Sequence, residues 1–202
     1  MKKLITVLLT AIFFTAGSAY AAGTLEDANK AYINGNEAEY IKILKPLALN
    51  GNAQAQFELG DAIGGGAYGL VKDSVEAARL FRLAAEKGHT KAQFYLGDIY
   101  KEGRGVVQDF AEAAKWYKLA AAQGHADAQV SLADMYKNGQ GVIKNLVKAH
   151  MWYNLAEANI DDGFWRRKEG RRDELAKEMT QQQIAQAQKL ARECLARKYK
   201  NC

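Results

Sequence analysis

The sequence predicts an all-α fold: a right-handed superhelical α/α solenoid of helix-turn-helix repeats, with a helical cap at each end. The first observation behind this prediction is composition. The 202 residues include 18 glycines and a single proline, which favours many helices separated by glycine-marked turns, because glycine is costly inside a helix and cheap just past its end. The second is an internal period of 36 residues, visible in Gly88-His89 and Gly124-His125.

Residues 1–21 are predicted to be a secretory signal peptide. Two lysines precede an apolar run from Leu4 to about Ala16, and small residues follow it up to Ala21. The alternative is a membrane anchor, but a spanning helix needs roughly 18 or more apolar residues. We therefore expect an exported protein with no membrane span after cleavage. A bacterial periplasm is the expected location, and full secretion stays open.

Residues 22–52 are predicted to form an N-terminal helical cap. Leu25 to about Asn34 and Glu37 to Leu49 have the pattern of a degenerate helix pair, in which Pro46 is a local irregularity. Such a cap is expected because the first helix pair of a solenoid has no neighbour on one side.

Residues 53–160 contain three repeated units. In the first helix of each unit, apolar residues at i, i+4 and i+8 form one stripe that should face the core. These are Ala55, Leu59 and Ile63; Ala92, Leu96 and Tyr100; and Ala128, Leu132 and Tyr136. The second helix carries small and aromatic residues that should fill the gaps between units: Ala113, Trp116, Tyr117, Ala120 and Ala121, with equivalents in the other two units.

Glycines are predicted to turn the chain between the two helices of each unit, and polar caps to start the second helix. The turns are Gly103-Arg104-Gly105, Gly139-Gln140-Gly141 and, one residue longer, Gly64-Gly65-Gly66 with Gly69. Asp73 with Glu76, and Asp109 with Glu112, have the spacing of capping boxes, while Asn145 caps the third unit alone.

Residues 161–202 are predicted to be a C-terminal helical cap with a basic tail. Two closing helices are expected, from Phe164 to Met179 and from Gln181 to about Lys198. Thr180 and Gln183 have capping-box spacing. The apolar seam of the second helix, suited to covering the last repeat, consists of Ile184, Ala187, Ala191 and Cys194, broadened by Leu190 and Leu195.

Two cysteines, Cys194 and Cys202, lie near the end of the chain. A disulfide between them is possible in an oxidising compartment. Eight residues of continuous helix would separate them by about 12 Å, so a disulfide requires the tail to leave the helix and fold back. The sequence leaves both states open.

Charge is unevenly distributed. Residues 22–162 carry 15 Lys/Arg against 18 Asp/Glu, whereas residues 163–202 carry 11 against 5. The basic end could meet nucleic acid, anionic lipid or an acidic partner. A solvated helix face is the favoured interpretation, because export argues against nucleic acid and no aromatic residues alternate with the basic ones to stack on bases.

The pattern AQxxLxxxYxxGxG, then V, then AxxWYxxAAxxG resembles the Sel-one-like repeat, a relative of the tetratricopeptide repeat. The resemblance covers Ala53 to about Ile160, and RRDELAKEMTQQQIAQAQKLAREC resembles the tail of exported bacterial members. It implies an adaptor that binds a protein or peptide partner; since the residues form no catalytic constellation, neither enzymatic activity nor a cofactor is expected. The alternative is an envelope-acting hydrolase or a penicillin-binding, β-lactamase-like protein, as associated with a cysteine-rich branch; the repeats here contain no cysteine.

The candidate partner-binding residues form two rows on the first helices. Aspartates stand two positions after each stripe leucine, and a second residue stands just before it; the six are Glu58, Asp61, Tyr95, Asp98, Ser131 and Asp134. Because these helices are expected to line the concave face of the solenoid, the rows should stack into an acidic strip that binds a basic or amine-bearing segment. A merely solvated face is the alternative.

No catalytic, metal or cofactor site is predicted. His89 and His125 occupy equivalent positions at helix entrances, where the preceding unit has Asn52. We interpret both histidines as helix caps rather than ligands. His150 stands where the other units have alanine, and we expect it to adapt the packing.

Overall fold

The computed structural model describes residues 23–158, 170–199 and 202. In these ranges the chain is all-helical, as predicted. The helices are α1 (Leu25–Ile33), α2 (Glu37–Leu49), α3 (Ala53–Gly65), α4 (Ser74–Glu86), α5 (Thr90–Glu102), α6 (Phe110–Ala121), α7 (Ala126–Asn138), α8 (Leu146–Ala158), α9 (Arg171–Ala176) and α10 (Gln181–Ala196). The predicted leader over residues 1–21 lies outside the described residues, and so do residues 159–169.

The helices form an α/α solenoid. Each helix from α1 to α8 packs against the next one along the chain, and α10 returns to pack against α8. The pairs α3/α4, α5/α6 and α7/α8 are the three repeated units, and the most extensive contacts lie within them. The stack therefore has two long faces. We call the one formed by α3, α5 and α7 the helix-A face, and the one formed by α2, α4, α6 and α8 the helix-B face.

The predicted apolar stripes form the core. The first two positions of each stripe are buried, from Ala55 and Leu59 to Ala128 and Leu132, while the third is half-buried. The aromatic residues of the second helices are buried as well, and Trp152 and Tyr117 are among the largest side chains that are fully buried. Burying a large apolar side chain stabilises a fold by roughly 1.5–3 kcal/mol, so these stripes hold neighbouring units together.

A buried glutamine joins each unit to the helix before it, a role that the sequence analysis did not assign. The side-chain amide of Gln93 donates to the carbonyl of Ala85 at 3.1 Å. The equivalent bonds run from Gln56 to Ala48 at 3.0 Å and from Gln129 to Ala121 at 3.1 Å. Each of these carbonyls also accepts a backbone N–H from the glycine of the following turn, so the glutamine adds a second hydrogen bond to it and ties its own helix to the preceding one.

The predicted capping boxes of α4 and α6 are wrong in one half. Asp73 accepts from the backbone N–H groups of Val75 and Glu76, as expected. The Glu76 side chain, however, does not reach back to the backbone; it forms two hydrogen bonds of 2.7 Å with Arg79. A guanidinium one turn away offers a bidentate, charge-assisted pair, which competes with a backbone N–H. The same holds in α6, where Glu112 pairs with Lys115. The caps at Asn145 and Thr180-Gln183 are confirmed.

The turns between paired helices use two glycines with positive φ. Gly66, Gly103 and Gly139 end α3, α5 and α7 in the left-handed conformation, and Gly69, Gly105 and Gly141 follow with φ of +72°, +72° and +67°. The prediction that Gly64 and Gly65 belong to the first turn is wrong. Both are helical, because the left-handed residue that stops α3 is Gly66.

His89 and His125 cap α5 and α7, which confirms their interpretation as caps. The Nδ1 atom of His89 accepts from the Ala92 N–H at 3.1 Å, and that of His125 accepts from Ala128 at 3.3 Å. Each ring also stacks on an aromatic residue of the preceding A helix, His89 on Phe57 and His125 on Phe94. Nδ1 can accept a hydrogen bond only while it carries no proton, so a charged histidine ring would lose the cap.

We expect these two caps to make the fold less stable in mild acid. Burial, followed by the charge of Lys91, lowers the pKa of both His89 and His125 below the usual value of 6.5. A histidine with a lowered folded-state pKa stabilises the fold fully above 6.5, and this contribution is lost as pH falls through the folded-state pKa. The thermal midpoint of unfolding should therefore decrease as the pH is lowered from 7 to 5.

The matched control is the double variant His89→Asn/His125→Asn, because Asn52 already caps α3 in this way. This variant should keep the stability of the parent at pH 7 to within about 0.5 kcal/mol and decline less in acid. Thermal melts of both proteins over this pH range test the assignment. An identical decline in the two proteins would show that other groups are responsible.

The C-terminal cap differs from its prediction at both ends. A helix from Phe164 to Met179 was expected; residues 164–169 lie outside the described residues, and α9 spans only Arg171–Ala176. Gly170 stands before α9 with φ of +88°, which interrupts a helix at that point. The second closing helix ends at Ala196 rather than near Lys198. Three members of the predicted seam, Ala187, Ala191 and Cys194, are buried, and Ile184 and Leu190 are half-buried. The prediction that Leu195 broadens the seam is wrong, because this side chain is exposed.

Cys194 and Cys202 form a disulfide with a Cα–Cα distance of 5.6 Å. The chain reverses after α10 because Lys198 and Tyr199 adopt positive φ of +50° and +63°. The tail thus leaves the helix and folds back, which is the condition that pairing required. The Tyr199 ring lies against Gly124 at the α6–α7 turn, so the tail also contacts the turn between the second and third units.

Candidate partner-binding surface

The six predicted binding residues lie on α3, α5 and α7, on the helix-A face. Asp61 is exposed, and the other five are half-buried. They do not form a uniform acidic strip. Their carboxylates differ in the hydrogen bonds they already make, and these bonds depend on residues of the second helices that the sequence analysis treated only as core.

Asp98 is held by the second helix of its own unit. The Tyr117 hydroxyl donates to Asp98 Oδ1 at 2.5 Å. Burial raises the pKa of Asp98, and the hydrogen bond from Tyr117 partly offsets that increase. Burial, and then the charge of Asp98, raise the pKa of Tyr117 above its usual range. This carboxylate is therefore fixed in place, with part of its surface left for solvent.

Asp134 is more fully occupied. Tyr153, the equivalent of Tyr117, donates to its Oδ1 atom. Arg171 at the start of α9 forms an ion pair with its other oxygen. The C-terminal cap therefore supplies a cation to the third aspartate of the row, and both of its oxygens are engaged within the molecule.

Asp61 is the open member of the row. Phe81 stands on α4 where the other two units have Tyr117 and Tyr153, so the first unit lacks the hydroxyl that would bind this aspartate. Among the described residues Asp61 forms no hydrogen bond or ion pair. An exposed carboxylate without a partner is the group on this row best able to receive a cation from another molecule.

Glu58 and Ser131 are tied to neighbours. Tyr40 donates to Glu58 Oε2 at 3.0 Å, and the Gln54 amide donates to Oε1 at 2.6 Å. Ser131 lies beside the Tyr117 hydroxyl, where it partly offsets the effect of burial on the pKa of that group. Both residues therefore face neighbouring side chains, and they offer less to a partner than the sequence pattern implied.

Tyr95 lies beside Asp61 and Asp98 and links the first two units. Its ring stacks on Phe81 at a centroid distance of 5.5 Å. Burial raises the pKa of Tyr95, and the charges of Asp61 and Asp98 raise it further. The structure therefore brings three of the six predicted residues together: Asp61, Tyr95 and Asp98.

Asp61 and Tyr95 line a cleft of about 330 Å³ between α3 and α5, with α4 as its floor. We call it the inner cleft. Gly64 and Gly65 form part of its wall, where the next unit carries Lys101 and Glu102. Two cations, Lys72 and Arg104, stand at its edge, and Arg104 is paired with Glu102 at 2.8 Å. The inner cleft thus combines an aromatic wall, an open carboxylate and an edge that carries two cations, one of them neutralised by Glu102.

The sequence contained a signal for these pairings. Asp98 and Tyr117 are 19 residues apart, and so are Asp134 and Tyr153. The one exception is Phe81, which lies at the open cleft.

Within the described residues, no group of three or more His, Cys, Asp or Glu residues could hold a metal ion. None of the described helices is long and apolar enough to cross a membrane.

Comparison with known proteins identifies the repeats. The family model described as the Sel1 repeat matches residues 53–89, 90–125 and 126–159, more than half of the chain. The chain belongs to the Sel1 repeat family. Proteins with Sel1 repeats generally act as scaffolds for protein–protein interaction and are typically not enzymes.

Solved structures share this fold. A Sel1 repeat protein from Oxalobacter formigenes is 38% identical with a TM-score of 0.58, over 65% of this chain and 95% of that one. A protective antigen of uropathogenic Escherichia coli, c5321, described as displaying an SLR fold, is 25% identical with a TM-score of 0.55, over 88% of this chain and 46% of the antigen.

A curated relative shares a shorter segment. The plant protein HRD3A of Arabidopsis thaliana, described as an ERAD-associated E3 ubiquitin-protein ligase component, is 37% identical over 71 residues. The match covers 35% of this Sel1 repeat chain and only 10% of HRD3A. The similarity therefore concerns the repeats and not the plant protein as a whole.

Proposed function

We propose that this protein is an exported Sel1 repeat scaffold that captures a basic segment of a partner protein at the inner cleft. The observation that supports this most directly is the open carboxylate of Asp61 beside the Tyr95 ring. A lysine or arginine of the partner can pair with Asp61 while its stem packs on Tyr95 and Phe81. Asp98, half-exposed on the next unit, extends the negative surface.

Export is supported by the disulfide. Disulfides form and persist in oxidising compartments and are rare in the cytosol, and Cys194 and Cys202 are paired here. This agrees with the leader predicted over residues 1–21. The proposed location is the periplasm, with secretion to the outside as the alternative. No cofactor, metal or nucleic acid has a part in the proposed function.

Partner capture should depend on Asp61 and not on Asp134. We expect Asp61→Asn to weaken capture roughly tenfold, because it removes a charge that has no internal partner. Asp134→Asn is the matched control: it removes a charge from the same row that Arg171 and Tyr153 already occupy. The measurement is chemical crosslinking in the native compartment, followed by identification and quantification of the captured protein.

The two variants separate a specific contact from general electrostatics. If the acidic face acts only through net charge, both asparagine variants will weaken capture equally, since each removes one negative charge. Capture by the Asp61 variant at the parental level would rule out the inner cleft as the site. Circular dichroism should show unchanged helix content in both variants, because neither side chain is part of the apolar core.

A further inference from the structure

A second cavity lies on the opposite face of the same unit. It is a groove of about 520 Å³ on the helix-B face, between α2 and α4, with α3 as its floor. We call it the outer groove. Its walls are mostly apolar and include Leu49, Leu59, Ile63, Leu80 and Leu83. Leu49 is 84% exposed and extends the apolar surface at the edge of the groove.

The outer groove is open because the first unit carries smaller residues than the other two. Ile63 and Leu80 stand where the second unit has Tyr100 and Trp116 and the third has Tyr136 and Trp152. In those units the large aromatic side chains are buried or half-buried against the neighbouring helices. The fold therefore has space at this place for a tyrosine and a tryptophan, and the first unit does not supply them.

A polar atom inside the outer groove lacks its partner. Gln56 is only 3% exposed and lines the groove, and its Oε1 atom has no hydrogen-bond donor. In the second unit the equivalent Gln93 Oε1 accepts from Gln123 at 2.7 Å. The position of Gln123 is taken by Lys87 in the first unit, and the Lys87 ammonium donates to the Gly51 carbonyl instead. A buried acceptor without a donor is destabilising, so a ligand that donates a hydrogen bond here gains affinity.

The rim of the outer groove is basic. Lys45, Arg79 and Lys87 stand around it, against one acidic residue, Glu76. Arg79 is paired with Glu76, whereas Lys45 has no ion-pair partner among the described residues. A ligand with negative charge next to an apolar group therefore matches the groove, and a basic segment of the kind proposed for the inner cleft does not.

We propose that the outer groove binds an acidic peptide segment of a partner protein that presents a tryptophan side chain. The indole fills the space left by Ile63 and Leu80 and donates its N–H to Gln56 Oε1. Carboxylates on either side of the tryptophan meet Lys45 and Lys87. The scaffold then has two recognition sites of opposite charge on its two faces, and both arise where the first unit departs from the other two.

The test uses a synthetic peptide, acetyl-Glu-Asp-Trp-Asp-Glu-amide, titrated against the purified protein by calorimetry. The comparison peptide has alanine in place of tryptophan. We expect saturable binding of the tryptophan peptide and at least tenfold weaker binding of the alanine peptide, because a buried aromatic anchor carries most of the affinity at such a site. Equal binding of the two peptides would overturn the proposal.

The matched variant is Ile63→Tyr/Leu80→Trp, which fills the outer groove with the pair that the second and third units carry. We expect it to keep the fold and to lose at least tenfold in affinity for the tryptophan peptide. Leu49→Glu is a second variant that cannot disturb the core, since Leu49 is exposed, and it should weaken binding severalfold by charge repulsion. Unchanged affinity in either folded variant would contradict the proposed site. Asp61→Asn, on the other face, should not affect this peptide.

Discussion

Replacing Gly105 with alanine is expected to destabilise the fold by roughly 2–5 kcal/mol. Gly105 has φ of +72°, a conformation that alanine adopts only with strain. In addition, a Cβ atom built on Gly105 would lie 2.3 Å from the Ser74 carbonyl oxygen and 2.4 Å from its carbonyl carbon, and these are backbone atoms that cannot move aside easily. The turn of the second unit therefore rests directly on the start of α4 in the first.

Gly69→Ala is the matched control for this effect. Gly69 holds the equivalent place in the first unit, with the same φ of +72°, but nothing lies within 4 Å of a Cβ built there. The Gly69→Ala variant should be destabilised only by the backbone strain at this φ, roughly 1 kcal/mol. The difference between the two variants in urea denaturation then measures the contact between units. Equal losses would show that the turn of the second unit does not need this close approach.

Gly141 repeats the arrangement one unit further along. Its Cβ would lie 2.1 Å from the Phe110 carbonyl oxygen at the start of α6. The second and third units thus each approach the preceding unit closely through this glycine. The first unit does not approach the N-terminal cap in this way, because nothing lies near Gly69. This gives a physical reason for the second glycine of the GxG pattern: it permits close approach between units, whereas the first glycine ends a helix.

The fold could be predicted from the sequence because each unit repeats the same local rules. The period of 36 residues, the apolar stripes and the turn glycines all agree, so the pairing of helices follows without knowledge of long-range contacts. The predictions were wrong where a local feature competed with the repeat pattern. The Glu76 side chain binds Arg79 instead of the backbone N–H. Gly170 has a positive φ at a point where a continuous helix was predicted.

The candidate site was harder to predict than the fold. All three aspartates of the row have the same place in the repeat, yet only Asp61 is open. Whether an aspartate is free depends on the residue that faces it from the second helix, and in the case of Asp134 on Arg171 from the terminal cap. Such pairings join residues 19 to 37 positions apart, so a pattern found within one helix does not contain them.

The two cavities show where repeated sequences carry specific information. Phe81, Gly64, Ile63 and Leu80 are departures of the first unit from the other two. Phe81 and Gly64 line the inner cleft, while Ile63 and Leu80 leave the outer groove open. In a solenoid each unit contacts only its neighbours, so a unit can change its surface in this way without disturbing the rest of the stack.

Removing the disulfide is expected to destabilise the C-terminal cap by roughly 2–3 kcal/mol, the effect of releasing a short crosslinked loop. Cys202→Ala breaks the crosslink and leaves Cys194 in the core, where it is 3% exposed. The helix that loses support is α10, which covers α8 at the end of the stack. Without that cover, Trp152 and the other apolar residues of α8 lose protection from water.

Hydrogen exchange measures this effect by region. In the Cys202→Ala variant the amides of α10 should exchange faster, and those of α3, in the first repeated unit and far from α10, should not change. Adding a reductant to the parent protein should reproduce the pattern, and adding it to the variant should have no further effect. If reduction leaves the exchange of α10 unchanged, then packing of its apolar seam on α8 holds the cap by itself. The disulfide would then stabilise only the last turn of the chain, from Arg197 to the reversal at Tyr199.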